Sequence, residues 1–171
     1  HHGQATPKDL DTIDALNLAV VVDLRRPKER DAAPTPRPPG FAGQVIDNDF
    51  GDQAEAPHVA FLRETDLTAQ SARDFFLDYY SKAPFEPRHG ELFRRYFEAL
   101  AAAPGPVLIH CTAGKDRTGL LCALTHHVLG VHRDDQIADY LLTNAAARLE
   151  ERAPVVAKAL ATVAKVPEDA L

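Results

Sequence analysis

An α/β domain with a mostly parallel central sheet flanked by helices is the fold that this sequence predicts. Two short β-branched runs, Ala19–Leu24 and Val107–Ile109, are bounded by polar residues and read as buried strands. Stretches with helical spacing separate those runs and follow the second, the alternation expected when helices cover a parallel sheet. The chain has 171 residues, no internal repeats and no domain-sized shift in composition, so residues 1–171 read as a single domain.

Thr6-Pro7 opens a helix, with a hydroxyl cap before a proline at the first helical position. Leu10, Ile13 and Leu16 then recur at helical spacing, and Asn17 ends the element. After the strand Ala19–Leu24, residues Arg25 to Arg30 read as a charged loop. Pro34 to Pro39 hold four prolines and lead into Gly40, which predicts an irregular surface segment. Gln44–Asp47 is a candidate short strand, and Gly51 to Pro57 has the composition of a loop.

Thr68 caps a helix over 69–81, and a longer helix runs from Arg88 to Ala103 with Leu92, Tyr96, Phe97 and Leu100 on its apolar face. Pro104-Gly105-Pro106 stops it before the strand Val107–Ile109. A further helix carries Leu120–Leu124 through Val128-Leu129 to Gly130, a C-terminal cap. Asp134 caps another that contains Ile137, Tyr140, Leu141 and Leu142. Beyond Pro154 the Ala/Val/Lys-rich end reads as a final helix.

Apolar residues make up 45% and charged residues 26%, ordinary values for a soluble globular chain. The formal net charge of -6 disfavours a nucleic-acid partner, so any anion recognition must be local. No apolar run approaches the roughly 20 residues of a membrane span, so no transmembrane segment is expected. With two cysteines, Cys111 and Cys122, there is no disulfide framework, and a reducing, cytoplasmic setting is the expectation. No signal-peptide pattern is visible. The chain opens on His1-His2 and contains no methionine, which points to a missing amino-terminal segment or to lost residues and leaves secretion open. Oligomeric state is not legible from these features.

The ten residues His110-Cys111-Thr112-Ala113-Gly114-Lys115-Asp116-Arg117-Thr118-Gly119 lie between a strand and a helix. A glycine-containing loop opening into a helix N-terminus points free N–H groups inward as an anion cradle, here residues 112–117. Arg117 is the phosphate-gripping guanidinium, because its planar fork holds two phosphoryl oxygens where lysine offers a point charge. Loop amides, helix dipole and Arg117 all favour the Cys111 thiolate, so its pKa is expected to fall well below about 8.5. Thr118 is placed to hydrogen-bond the sulfur, and the His110 ring to buttress the loop backbone. These parts predict attack by sulfur on a phosphomonoester, a phosphocysteine, and its hydrolysis by water. No cofactor or metal is called for; His126-His127 are adjacent and face different sides of a helix.

The first step needs an acid for the leaving oxygen. Asp116 is the first choice, although an adjacent arginine should hold it ionised. Asp78 is the alternative, with Asp47, Asp49 and Asp23 behind it.

Blander readings stand beside these. Cys122 lies on an apolar helix and reads as a core residue. Lys115 is either a functional loop cation or a solvated lysine, and Asp116 either an acid or a loop-stabilising carboxylate. Asp23 and Arg25 form an ion pair fixing a loop as readily as they do chemistry. Tyr79 and Tyr80 are packing residues or stack on a substrate ring; Arg94-Arg95 reads as a solvated face; Asn144 is undecided.

The loop resembles the signature His-Cys-x5-Arg-Ser/Thr of protein tyrosine phosphatases, and is most similar to bacterial tyrosine and dual-specificity phosphatases whose loop carries Gly-Lys-Asp-Arg. Val22-Asp23-Leu24-Arg25 with Glu29, and Asp139-Tyr140-Leu141-Leu142-Thr143-Asn144, are similar to further stretches of that family. The resemblance implies a cysteine-phosphatase-like fold, Cys111 as nucleophile, Arg117 as phosphate ligand and Asp116 as candidate acid. It also implies a phosphotyrosine protein as substrate, or a phosphoinositide, because Lys115 is similar to the loop lysine of lipid-directed phosphatases and suggests extra negative charge on the substrate. A non-catalytic phosphate-binding module with the same loop is the alternative. Sulfurtransferases and arsenate reductases, which also cradle a thiolate, rank below it.

Overall fold

The computed structural model describes residues 5–37, 40–50, 57–64, 68–148 and 151. Helix α1 (Pro7–Asp14) starts as expected: Thr6 Oγ1 accepts from the Asp9 N–H at 3.3 Å, and the Asp9 carboxylate accepts from the Thr6 N–H at 2.9 Å. The chain leaves it through Asn17 at φ 48, a left-handed conformation that asparagine tolerates.

Strands β1 (Val20–Asp23), β2 (Gln44–Ile46) and β3 (Val107–His110) form a parallel sheet in the order β2-β1-β3. Central β1 is buried along its whole length and pairs Val21 with Val45 on one side and with Leu108 on the other. The register also sets Asp23 beside His110, so the C-terminal ends of β1 and β3 emerge together. That edge of an open α/β sheet is where ligand crevices form.

Between the strands lie α2 (Pro27–Ala32), α3 (Pro57–Glu64), α4 (Ala69–Lys82), a 3₁₀ turn (Ala83–Phe85) and α5 (Pro87–Ala102); α6 (Asp116–Val128) and α7 (Arg133–Ala146) follow β3. Helix α5 supplies Leu92, Phe93 and Tyr96 to a core with Val20, Val22, Leu24, Ile46 and Leu121. Its expected apolar residue Leu100 is exposed instead. Phe61 of α3 stacks on Phe75 of α4 with ring centroids 4.5 Å apart.

Three expectations are corrected. Arg25–Arg30 is not only a loop: Pro27 begins α2, and Glu29 accepts the Arg26 N–H at 2.9 Å. Pro57, expected in a loop, begins α3. Helix α7 is capped by His132, whose Nδ1 accepts from the Asp134 N–H at 3.3 Å, and not by Asp134. Residues 38–39, the loop assigned to 51–56 and the final helix after Pro154 lie outside the described residues.

Candidate active site

Strand β3 ends on buried His110, buried Cys111 follows it, and α6 starts five residues after the cysteine at Asp116. The loop between them closes back on itself because Gly114 sits at φ 73, so its N–H donates to the Cys111 sulfur at 3.2 Å. Burial works to raise the thiol pKa. The Thr118 hydroxyl, the Arg117 charge and the Thr118 and Gly114 amides outweigh it, and the net shift is downward. The buried Thr118 hydroxyl acts on the sulfur and has no other hydrogen-bond partner among the described residues. His110 sits against the loop: Nδ1 is 3.3 Å from the Cys111 carbonyl oxygen, and Nε2 is 3.7 Å from Asp23.

Arg117 does not turn toward its neighbour Asp116. Its Nη1 and Nη2 donate to the two Glu29 oxygens at 2.6 and 2.7 Å. Nη1 also reaches the Leu24 carbonyl at 3.3 Å, and Nη2 the Thr112 hydroxyl at 3.3 Å. The end of the fork is therefore engaged by the protein. Among the described residues, Nε is the nitrogen of the guanidinium left for an anion. Thr112 itself donates to Glu29. For Glu29 burial favours the neutral acid, but hydrogen bonds from Arg117 and the arginine's charge bring the pKa down to about 2. The same contact outweighs burial at Arg117 and holds its charge more firmly.

Asp116, first residue of α6, accepts a hydrogen bond from the Tyr80 hydroxyl at 2.5 Å and lies 3.6 Å from Lys115 Nζ. The Lys115 ammonium also stands 5.9 Å from the centre of the Phe76 ring. Of the loop's remaining residues, Thr112, Ala113 and Gly114 are exposed at its rim. Tyr79 is half-buried; burial raises its phenol pKa, and Arg117, Asp116 and Cys111 are among the charges that act on it. Asn144 lines a recess of about 200 Å³ with Phe76, Tyr80, Lys115, Asp116 and Tyr140.

The alternative acid Asp78 is not drawn into this group. It is exposed on α4, where it pairs with Lys82 at 2.5 Å. Asp49 pairs with Arg30, and Asp47 lies 3.9 Å from the same guanidinium. Asp23 is held by Arg25 through Nη2 at 2.7 Å and Nε at 2.9 Å, the loop-fixing ion pair. Arg94 is a solvated partner of Glu98, whereas Arg95 is half-buried and donates to the Asp47 carbonyl at 2.7 Å. Cys122 is partly buried, and burial raises its thiol pKa.

Two contributors lie outside the loop. Glu29 had a sequence signal only as part of the Asp-Leu-Arg stretch. Arg88 of α5 had none: it is buried and donates to the Leu24 and Arg25 carbonyls, each at 3.2 Å, which fixes the carbonyl that also receives Arg117. Burial, then the charges of Arg26 and Arg117, bring its pKa down to about 10. The assembled site can hold a tetrahedral dianion between a thiolate, loop amides and a guanidinium.

The sequence profile of the tyrosine phosphatase family matches residues 1–171. Over 143 residues the chain is 33% identical to a provisionally named tyrosine-protein phosphatase of Cupriavidus necator, which covers 82% of this chain and 50% of that protein. It is 34% identical over 154 residues to the triple specificity protein phosphatase PtpB of Mycobacterium tuberculosis, covering 78% of this chain and 55% of the relative. A tyrosine-protein phosphatase of Nostoc commune is 27% identical over 144 residues, 82% of this chain and 45% of its own. The chain thus spans about half the length of these relatives.

Proposed function

Because the chain belongs to the tyrosine phosphatase family, we propose that it hydrolyses phosphomonoesters through a phosphocysteine on Cys111. The observation that carries this reading is the Cys111 sulfur, held toward its ionised form under the Gly114 N–H and beside Arg117. Sulfur attacks phosphorus in line, the bond to the leaving oxygen breaks, and Asp116 gives that oxygen its proton. Water then attacks the phosphocysteine and returns a proton to Asp116. The sulfur–phosphorus bond breaks, so phosphate and the thiolate are released.

Phosphotyrosine proteins are the first substrate class under this proposal. Dual specificity toward phosphothreonine or phosphoinositides is the second, motivated by the Lys115 ammonium at the loop. The name of the mycobacterial relative, a triple specificity protein phosphatase, is consistent with a broad range. Both cysteines are free, which suits a reducing compartment.

Turnover of para-nitrophenyl phosphate by the wild type and by Cys111→Ser tests the mechanism. Loss of turnover in the variant, with a phosphorylated cysteine trapped by acid quench in the wild type, is expected. Equal rates would overturn it. Tight phosphopeptide binding without any turnover would favour a non-catalytic binding module instead.

A further inference from the structure

Side chains from three helices meet at Asp116. Tyr80 of α4 donates its hydroxyl hydrogen to Asp116 Oδ1 at 2.5 Å, and Tyr140 of α7 donates to the Tyr80 oxygen at 2.9 Å. A phenol that accepts one hydrogen bond becomes a better donor of the next, so the pair acts as a polarised chain ending on the carboxyl group. Burial, followed by the bonds to Asp116 and Tyr140, pushes the Tyr80 phenol pKa up, so it stays a donor at neutral pH.

The backbone of α6 makes room for this chain. A Cβ on Gly119 would stand 2.9 Å from Cε2 of Tyr140 and 3.4 Å from Cδ2. The missing side chain of Gly119, the last residue of the ten-residue run, lets the Tyr140 ring lie against the first turn of the helix that begins at Asp116. Lys115 Nζ, 3.6 Å from the same Oδ1, adds to the hold on that oxygen.

We propose that Tyr80, held in turn by Tyr140, is a positioning residue for Asp116: it fixes Oδ1 and leaves Oδ2 as the oxygen that carries the proton to the leaving group. The inference rests on the reading of Asp116 as the acid. As the phosphorus–oxygen bond breaks, the Oδ2–H bond breaks with it and the proton passes to the departing oxygen. In the second step Oδ2 takes a proton back from the attacking water. Tyr80 and Tyr140 exchange no proton and touch no substrate; they set the direction in which the carboxyl group points.

A positioning role differs from a mere staple between helices in its dependence on the leaving group. A poor leaving group such as the tyrosine phenolate needs its proton, while 2,4-dinitrophenolate departs without one. The test compares kcat/KM, which reports departure of the leaving group, for phosphotyrosine and for 2,4-dinitrophenyl phosphate. For Tyr80→Phe a loss of roughly ten-fold is expected on phosphotyrosine and about two-fold or less on the dinitrophenyl ester. Tyr140→Phe, which keeps both rings, and Gly119→Ala, which displaces one, should show the same selectivity more weakly.

Equal losses on both esters in all three variants would overturn the proposal and leave a structural staple. Asp116→Asn separates the two levels. If it loses activity selectively on phosphotyrosine while the three variants do not, only the role of Tyr80 and Tyr140 fails. If it shows no selectivity, the acid reading fails and the positioning role with it.

Discussion

Glu29 and Arg117 meet through two hydrogen bonds at once, so the carboxylate sets both the charge and the plane of the guanidinium. Glu29→Gln keeps the shape but removes the ion pair, and a fall in kcat/KM of roughly ten-fold or more is expected as Arg117 loses its plane. The pair also ties stability to pH. A carboxyl group held at about 2 in the fold, against 4.5 ordinarily, stabilises the protein fully above about pH 5 and loses that contribution as pH falls toward 2. The difference corresponds to about 3 kcal/mol. Urea unfolding between pH 7 and pH 3 should therefore fall more steeply for the wild type than for Glu29→Gln. At Cys111 the net shift is downward, so thiolate absorbance in a Cys122→Ser background should titrate below the ordinary thiol range of about 8.5. A midpoint at or above that range would contradict the balance of Thr118, Arg117 and Gly114 against burial.

At the scale of elements, the turn from β3 into α6 does most to build the site. Gly114 is the one residue of the loop at positive φ, and no heavy atom lies within 4 Å of where a Cβ would stand. Gly114→Ala is thus a test of backbone strain alone. A cost of about 1 kcal/mol is expected, read as a lower Tm and as weaker inhibition by orthovanadate. A larger loss of Tm would mean that the loop collapses rather than strains. Helix α2 makes the complementary point. Its six residues carry no apolar period and have the composition of a charged loop, yet Pro27 starts the helix and Glu29 caps it. The result matters, because one turn of helix is what aims Glu29 at Arg117. By contrast α4 was legible at its start: Thr68 accepts from the Ser71 N–H at 3.0 Å, the local cap that its position promised.

Across the whole molecule, the sheet edge and helix α5 hold the site through buried groups. Asp23 and Arg25 are both buried, and the arginine continues to the Ala33 carbonyl at 2.7 Å, locking the crossing from β1 into α2. Asp23→Ala leaves that guanidinium uncompensated inside the fold, with an expected cost of about 3–5 kcal/mol in denaturant unfolding. Replacing the buried Leu92 by alanine should cost about 2–5 kcal/mol by opening a cavity under the sheet. The sequence by itself determined the two strand runs and the glycine-containing loop between strand and helix, along with the capped starts of α1 and α4. All of these are set by neighbours within a few positions, through β-branching, glycine and cap chemistry. Only the tertiary structure decided that Arg117 faces Glu29, 88 positions away, and that Asp116 faces Tyr80, 36 positions away. Spacing along a chain carries no record of which distant side chains packing brings within 3 Å. The partner of each charged group in the loop is therefore a property of the fold.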